Sequence, residues 1–174
     1  MARQAQVTGV ERFFEPDEII VSKTNAKGVI TYANRVFLKI ADYGEREVVG
    51  SPHSIVRHPD MPRCIFKLLW DTIQAGKEIF AYVMNRAKNG DHYWVMAHVT
   101  PSFDAAGAIT GFHSSRRVPD RKILEATIVP LYRSLLAEEN RHENRKEGLA
   151  ASGAIVEKLL QERGIAYDEF VFSL

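Results

Sequence analysis

The order of apolar and polar positions divides the chain into three stretches. Residues 1–17 hold no sustained period and read as a lead-in, with Phe13 and Phe14 as expected docking points. From Glu18, "EIIVSKTNAKGVITYANRVFLKIADY" gives two β-branched runs around turn chemistry at Asn25–Gly28. A helical stripe of Phe37, Leu38 and Ala41 follows Asn34. In "VGSPHSIVRHPDMPRCIFKLLWDTIQAGKE", Asp60 and Pro62 resemble a helix start, and Ile65, Leu68, Leu69 and Ile73 form one face up to Gly76. "EIFAYVMNRA", "KNGD" and "HYWVMAHVTPSF" predict a hairpin turning at Asn89–Gly90, and "DAAGA" leads into one more strand, "ITGFHSSRRV". Two strands, short helices and three antiparallel strands predict an α+β domain over residues 18–119, its sheet covered on one face.

After Pro119 the spacing turns helical, with Leu124, Ile128, Leu131 and Leu135 on one side. Pro130 either kinks this stretch or divides it into two helices. "EENRHENRKE" reads as a solvated helix surface, and a second helix is expected over Ala154–Arg163, stopped by Gly164. The tail "IAYDEFVFSL" places Phe170, Phe172 and Leu174 on one side of an extended chain. Residues 120–174 are therefore expected to be a helical extension with an apolar tail.

Composition narrows the class. The 174 residues are 45% hydrophobic and 26% charged, a globular balance with enough chain for a core and an internal pocket. A net charge of +1 without a basic block argues against nucleic acid. The single cysteine, Cys64, excludes an internal disulfide and a cysteine-rich zinc site. No run approaches the ~18 apolar residues of a membrane span, and the start lacks a signal-peptide core, so a cytoplasmic protein is expected.

Candidate chemistry lies in two places. On the strand before the hairpin, Ala81, Val83, Asn85 and Ala87 share a small face with one amide in it, opposite a bulky face of Phe80, Tyr82, Met84 and Arg86. A buried Asn85 needs partners that this strand does not supply, unless it points outward or a loop satisfies it. In "SIVRHPDMPR", Arg57, His58 and Asp60 form either a polar pocket wall or a local ion-pair brace. Trp70 lies on the following apolar helix, where a tryptophan is core far more often than a cofactor platform. These residues describe a pocket with a polar rim and do not name its ligand.

From about Glu18 to Asp120, and most specifically in "SPHSIVRHPDMP" followed by "NRAKNGDHYWV", the sequence resembles the flavin-binding PAS domains of bacterial aerotaxis receptors. The resemblance implies a five-stranded antiparallel PAS sheet with flanking helices, and non-covalent FAD reporting redox or oxygen status. It implies Arg57, His58 and Asp60 as flavin-site residues, Trp70 close to the isoalloxazine ring and Asn85 at its polar edge. His53 is implied as a proton or hydrogen-bond partner, with Asn34 and Tyr93 as weaker carry-overs. An Asn amide owns both a donor and an acceptor, so Asn85 suits a ring nitrogen that changes from acceptor to donor on reduction. Arg57 suits a pyrophosphate through charge-assisted bonds.

Blue-light PAS sensors use a cysteine in an Asn-Cys-Arg-Phe context, absent here, and Val95 stands where their second flavin-binding Asn falls. Haem and FMN rank behind FAD: His53, His58, His92, His98 and His113 all lie outside the helix expected to carry a haem ligand. A ligand-free PAS interaction module is a further alternative. No separate substrate-handling constellation points to an enzyme. The helical extension and tail are expected to favour a homodimer, with a chemotaxis-type or other regulatory protein as signalling partner. The receptors' membrane anchor and signalling coiled coil are not in this sequence, which is expected to be a free-standing sensor or a piece of a longer one.

Overall fold

The computed structural model describes residues 6–174; the first five residues of the lead-in lie outside them. The chain forms two compact units, one of residues up to His58 with Thr72–Pro119, the other of Pro59–Asp71 with Asp120–Leu174.

The first unit is a five-stranded antiparallel sheet in the order β2-β1-β5-β4-β3. Its strands are β1 (Ile20–Asn25), β2 (Ile30–Ala33), β3 (Ile79–Arg86), β4 (His92–Phe103) and β5 (Ile109–Arg117). Between β2 and β3 run α1 (Arg35–Ala41), α2 (Glu45–Val48), a 3₁₀ turn (His53–Val56) and α3 (Arg63–Gln74), the last continuing out of the second unit. Asn34 caps α1: its Oδ1 accepts from Phe37 N (2.9 Å) and Val21 N (3.1 Å), and its Nδ2 donates to the Ile19 carbonyl (2.8 Å). One amide thus fixes the helix start against β1.

Side chains alternate along a strand, so register decides what shares a face. Asn85 lies opposite Tyr93, Ala81 opposite Ala97, Ala97 opposite Arg116, and Ser114 opposite both Val99 and Ser22. All of these side chains are buried on the inner face. The outer face is also partly covered, at Tyr82, Arg86 and Trp94, which departs from the expected one-sided sheet.

The hairpin turns where expected, with Gly90 at φ 100°. A Cβ there would fall 2.0 Å from the Gln6 carbonyl oxygen, because the lead-in passes directly over the turn. Thr8 N donates to the Gly90 carbonyl, Arg12 N to that of His92, and His92 N to that of Val10. The lead-in is therefore held by backbone pairing with the start of β4, and Phe13 is 70% exposed.

In the second unit the helical stretch after Pro119 does not break at Pro130. It runs as α4 (Arg121–Ile123), a π-helical turn (Leu124–Ile128) and α5 (Val129–Asn140). Proline lacks an N–H and crowds the preceding turn, and a widened π turn is one way for a helix to absorb that. The buried stripe is Leu124, Ile128, Tyr132, Leu135 and Glu139, so Tyr132 takes the place expected for Leu131.

α6 (Arg145–Arg163) starts nine residues before the expected Ala154, capped by Asn144 Oδ1, and ends at Gly164 in the left-handed region. The charged run is thus two helix ends and a bend rather than one helix surface. The tail is not extended: α7 (Tyr167–Phe172) buries Tyr167, Phe170 and Val171. These positions follow helical i, i+3, i+4 spacing, and Glu169 Oε2 accepts from Ala166 N at 2.9 Å to close the first turn.

Glu139, 2% exposed, ties this unit together. Its Oε2 accepts from Arg63 Nε (2.9 Å), and its Oε1 accepts from Cys64 N (2.9 Å) and Ser152 Oγ (3.0 Å). Burial alone would raise this carboxyl's pKa, but these donors outweigh it and hold the group below its ordinary value. α6 approaches α5 at Gly148, where a Cβ would lie 2.4 Å from the Glu139 carbonyl oxygen; at Gly153 nothing lies within 4 Å. Gly148→Ala is expected to destabilise the protein by ~1–3 kcal/mol, since backbone must move to admit the methyl group. Gly153→Ala should stabilise it by ~0.5–1 kcal/mol through helix propensity. Urea titrations of both variants check this contrast.

Candidate functional site

The inner face of the sheet combines small side chains with polar ones. Ala81, Ala97 and Ser22 are each no more than 2% exposed. Beside them, Asn85 Nδ2, Tyr93 Oη, Ser114 Oγ and Arg116 Nη1 are buried atoms with no hydrogen-bond partner among the described residues. Buried polar groups are satisfied in the great majority of cases, so several orphans on one face set it apart from an ordinary packed core.

One edge of this face is a cluster around Arg116. Its Nη2 lies 2.7 Å from Ser22 Oγ and 2.6 Å from His53 Nε2, and its guanidinium stands over the Phe37 ring at 5.5 Å. A guanidinium only donates, so His53 Nε2 is the acceptor and the ring proton belongs on Nδ1. Burial first, and the Arg116 charge second, push the His53 pKa down to about 3. Burial likewise lowers Arg116 to about 10, and raises the Tyr93 hydroxyl. The cluster at neutral pH is a charged guanidinium, a neutral imidazole and a neutral phenol.

The expected site residues divide between the two units. In the first, the loop holding Arg57 pairs its backbone with Asn85 through an isolated antiparallel bridge. His58 is 4% exposed and meets His92 edge to face at 5.8 Å, one residue before the fully buried Tyr93. Asn85 is inward, and His53 sits with Ser22 and Arg116 on the far strand pair. Asn34 makes its bonds to backbone as the α1 cap. In the second unit, Asp60 is exposed and Trp70 is half-buried on α3. A hollow of about 280 Å³ in that unit, lined by Pro59, Arg63, Leu136, Glu139, His142 and Arg145, contains none of the expected residues.

Sequence reasoning missed Ser22, Ser114 and Arg116. The signal for Ser114 and Arg116 was the alternation of "FHSSRR", in which Phe112, Ser114 and Arg116 share a face, but both faces of that run are polar. It also missed Glu139, although adding four to Leu135 in the stripe reaches it.

The PAS fold model matches residues 30–116, half of the chain. The chain belongs to the PAS family. Over 138 residues, 79% of this PAS chain, it is 39% identical to the aerotaxis receptor of Escherichia coli (strain K12). A second relative, the nitrogen fixation regulatory protein of Klebsiella pneumoniae, is 24% identical over 103 residues, 59% of the chain. The chain spans only 27% and 21% of these relatives' lengths. Among solved structures, the dark structure of the blue-light photoreceptor Aureochrome1 LOV superimposes with a TM-score of 0.57 at 20% identity, over 64% of this chain and 83% of that one, a likeness of fold.

Within this PAS domain Val95 is fully buried on the inner face, and Cys64 is buried in the second unit with its thiol pushed up to about 11 by burial. The described residues hold no group of three or more His, Cys, Asp or Glu able to bind a metal. No helix among them is long and apolar enough to cross a membrane.

Because His53 is held neutral in the fold but protonates near its ordinary value once unfolded, the unfolded chain binds more protons between about pH 6.5 and 3. Stability should therefore fall as pH drops through that window. His53→Gln, which cannot be protonated, should show a shallower fall than the parent in urea midpoints measured from pH 7 to pH 4. Equal slopes would remove His53 as an acceptor held neutral by the fold.

Proposed function

We propose that this PAS domain is a redox or oxygen-status sensor that holds FAD non-covalently and passes its redox state through hydrogen bonds at the sheet. The observation that carries this is the buried inner face where Asn85 Nδ2, Tyr93 Oη, Ser114 Oγ and Arg116 Nη1 lack partners between small side chains. A flavin ring fits such a face. It is flat and largely apolar, with polar atoms along its edges, and when bound it supplies reversible electron storage. The 39% identity to an aerotaxis receptor supports the same reading.

Asn85 offers an amide with both donor and acceptor, and its strand is tied by backbone pairing to the loop of Arg57 and His58. A change in the partner of Asn85 is thus passed to that loop as well as to β4. One buried bond gained or lost, ~1–3 kcal/mol, biases a two-state element about tenfold or more. Arg57 and His58 are assigned to the polar wall, with Arg57 toward the FAD pyrophosphate and His53 as the acceptor behind Arg116. Asn34 contributes by holding α1 in place. The protein senses rather than catalyses, acts in the cytoplasm, dimerises, and signals to a regulatory protein of the chemotaxis type.

Purified protein should be yellow with flavin's visible bands, and chromatography of the released cofactor should give FAD rather than FMN. Asn85→Ala should weaken flavin retention by about tenfold, the equivalent of ~1.4 kcal/mol. A Soret band would indicate haem. A stable, colourless protein that takes up no flavin would leave an interaction module.

A further inference from the structure

Among the described residues, Arg116 is a buried cation with no anion beside it. It is 3% exposed, and its neighbours are Ser22 Oγ, the neutral His53 Nε2, the Phe37 ring and, electrostatically, the phenol of Tyr93. None of these carries a negative charge at neutral pH, and Nη1 has no partner at all among the described residues. The titratable groups bearing on it are His53 from the 3₁₀ turn, Tyr93 from β4 and His113 from β5 itself; Arg12 and Tyr43 act on Tyr93 in turn. Leaving one charge of a pair buried alone is among the costlier arrangements a fold can hold. Contrast Glu139, whose carboxylate receives a guanidinium, an amide and a hydroxyl. The fold therefore keeps a fixed positive charge on the inner face, at the edge of the same row of orphaned donors.

We propose that Arg116 is the countercharge that keeps the bound flavin anionic when it is reduced, and so sets the potential at which the sensor switches. This rests on the flavin reading above. Two electrons and one proton leave one net negative charge on the ring, and a second proton cancels it. Arg116 pairs with that charge and opposes entry of the second proton. Its guanidinium is positioned by Ser22 and His53, and His53, being neutral, takes none of its charge away.

The test uses the flavin-loaded parent protein, with dithionite as electron donor and the midpoint potential followed by absorbance across pH. Uptake of one proton per two electrons changes the equilibrium tenfold per pH unit, about 30 mV, whereas two protons give about 59 mV. The protein is expected to keep the shallow slope to a pH at least one unit lower than free FAD titrated in parallel. Arg116→Gln should shift the midpoint at pH 7 negative by a tenfold change in relative affinity, about 30 mV, while Arg116→Lys stays nearer the parent. A parent slope that steepens where free FAD does overturns the assignment even if Arg116→Gln fails to fold. Loaded Arg116→Gln with the parent's potential does the same. A parent that retains no flavin after purification and reconstitution overturns the flavin reading instead, and the two failures are distinct.

Discussion

The sheet carries more hydrogen-bonding capacity on its buried face than the described residues satisfy. Antiparallel register puts Asn85, Tyr93, Ser114, Ser22 and Arg116 on one side, and alternation leaves none of them free to turn outward without moving a whole strand. Burying such groups unpaired opposes folding, so the core residues around them must more than offset that cost. Ile20, Phe37, Ile79, Val95 and Phe112 supply an apolar surround for this polar row. The result is a face with directional donors in a low-dielectric setting, where each bond to a ligand counts for more than it would in water.

The second unit solves the same problem in the opposite way. Its buried carboxylate, Glu139, has its donors within the protein, and the close approach of α6 at Gly148 places Ser152 within reach of it. A satisfied buried ion of this kind specifies one packing of helices, because removing Arg63 leaves the charge uncompensated and removing Ser152 leaves an acceptor unpaired. Glu139 and Arg116 thus differ in kind: the first has its donors within the protein, and the second keeps Nη1 without a partner among the described residues.

Much of the architecture was legible in the chain. The Asn89–Gly90 turn, the strand alternation and the Gly76 and Gly164 stops placed the sheet, the hairpin and two helix ends, because each rests on local backbone chemistry. The small face of Ala81, Val83 and Asn85 was visible in the sequence, but whether it looked inward was not, since that depends on pairing with β4. Arg116 was illegible for the same reason: in "SSRR" either arginine could face in, and only the pairing of β5 with β1 and β4 decides. The tail failed differently. Phe170 and Phe172 alternate as in a strand, while Tyr167, Phe170 and Val171 also satisfy a helix, and the Glu169 bond to the Ala166 amide favours the second. At Pro130 the sequence leaves a kinked helix and two separate helices equally open, because a π turn ahead of a proline has no clear sequence mark.

The central claim is that the orphaned atoms of the inner face are ligand donors. A high-resolution crystal structure of the protein purified with FAD tests it most directly. The account predicts ring nitrogen or oxygen atoms within hydrogen-bond distance of both Asn85 Nδ2 and Arg116 Nη1. Flavin bound elsewhere, or both atoms satisfied by protein groups with the inner face closed, would contradict it.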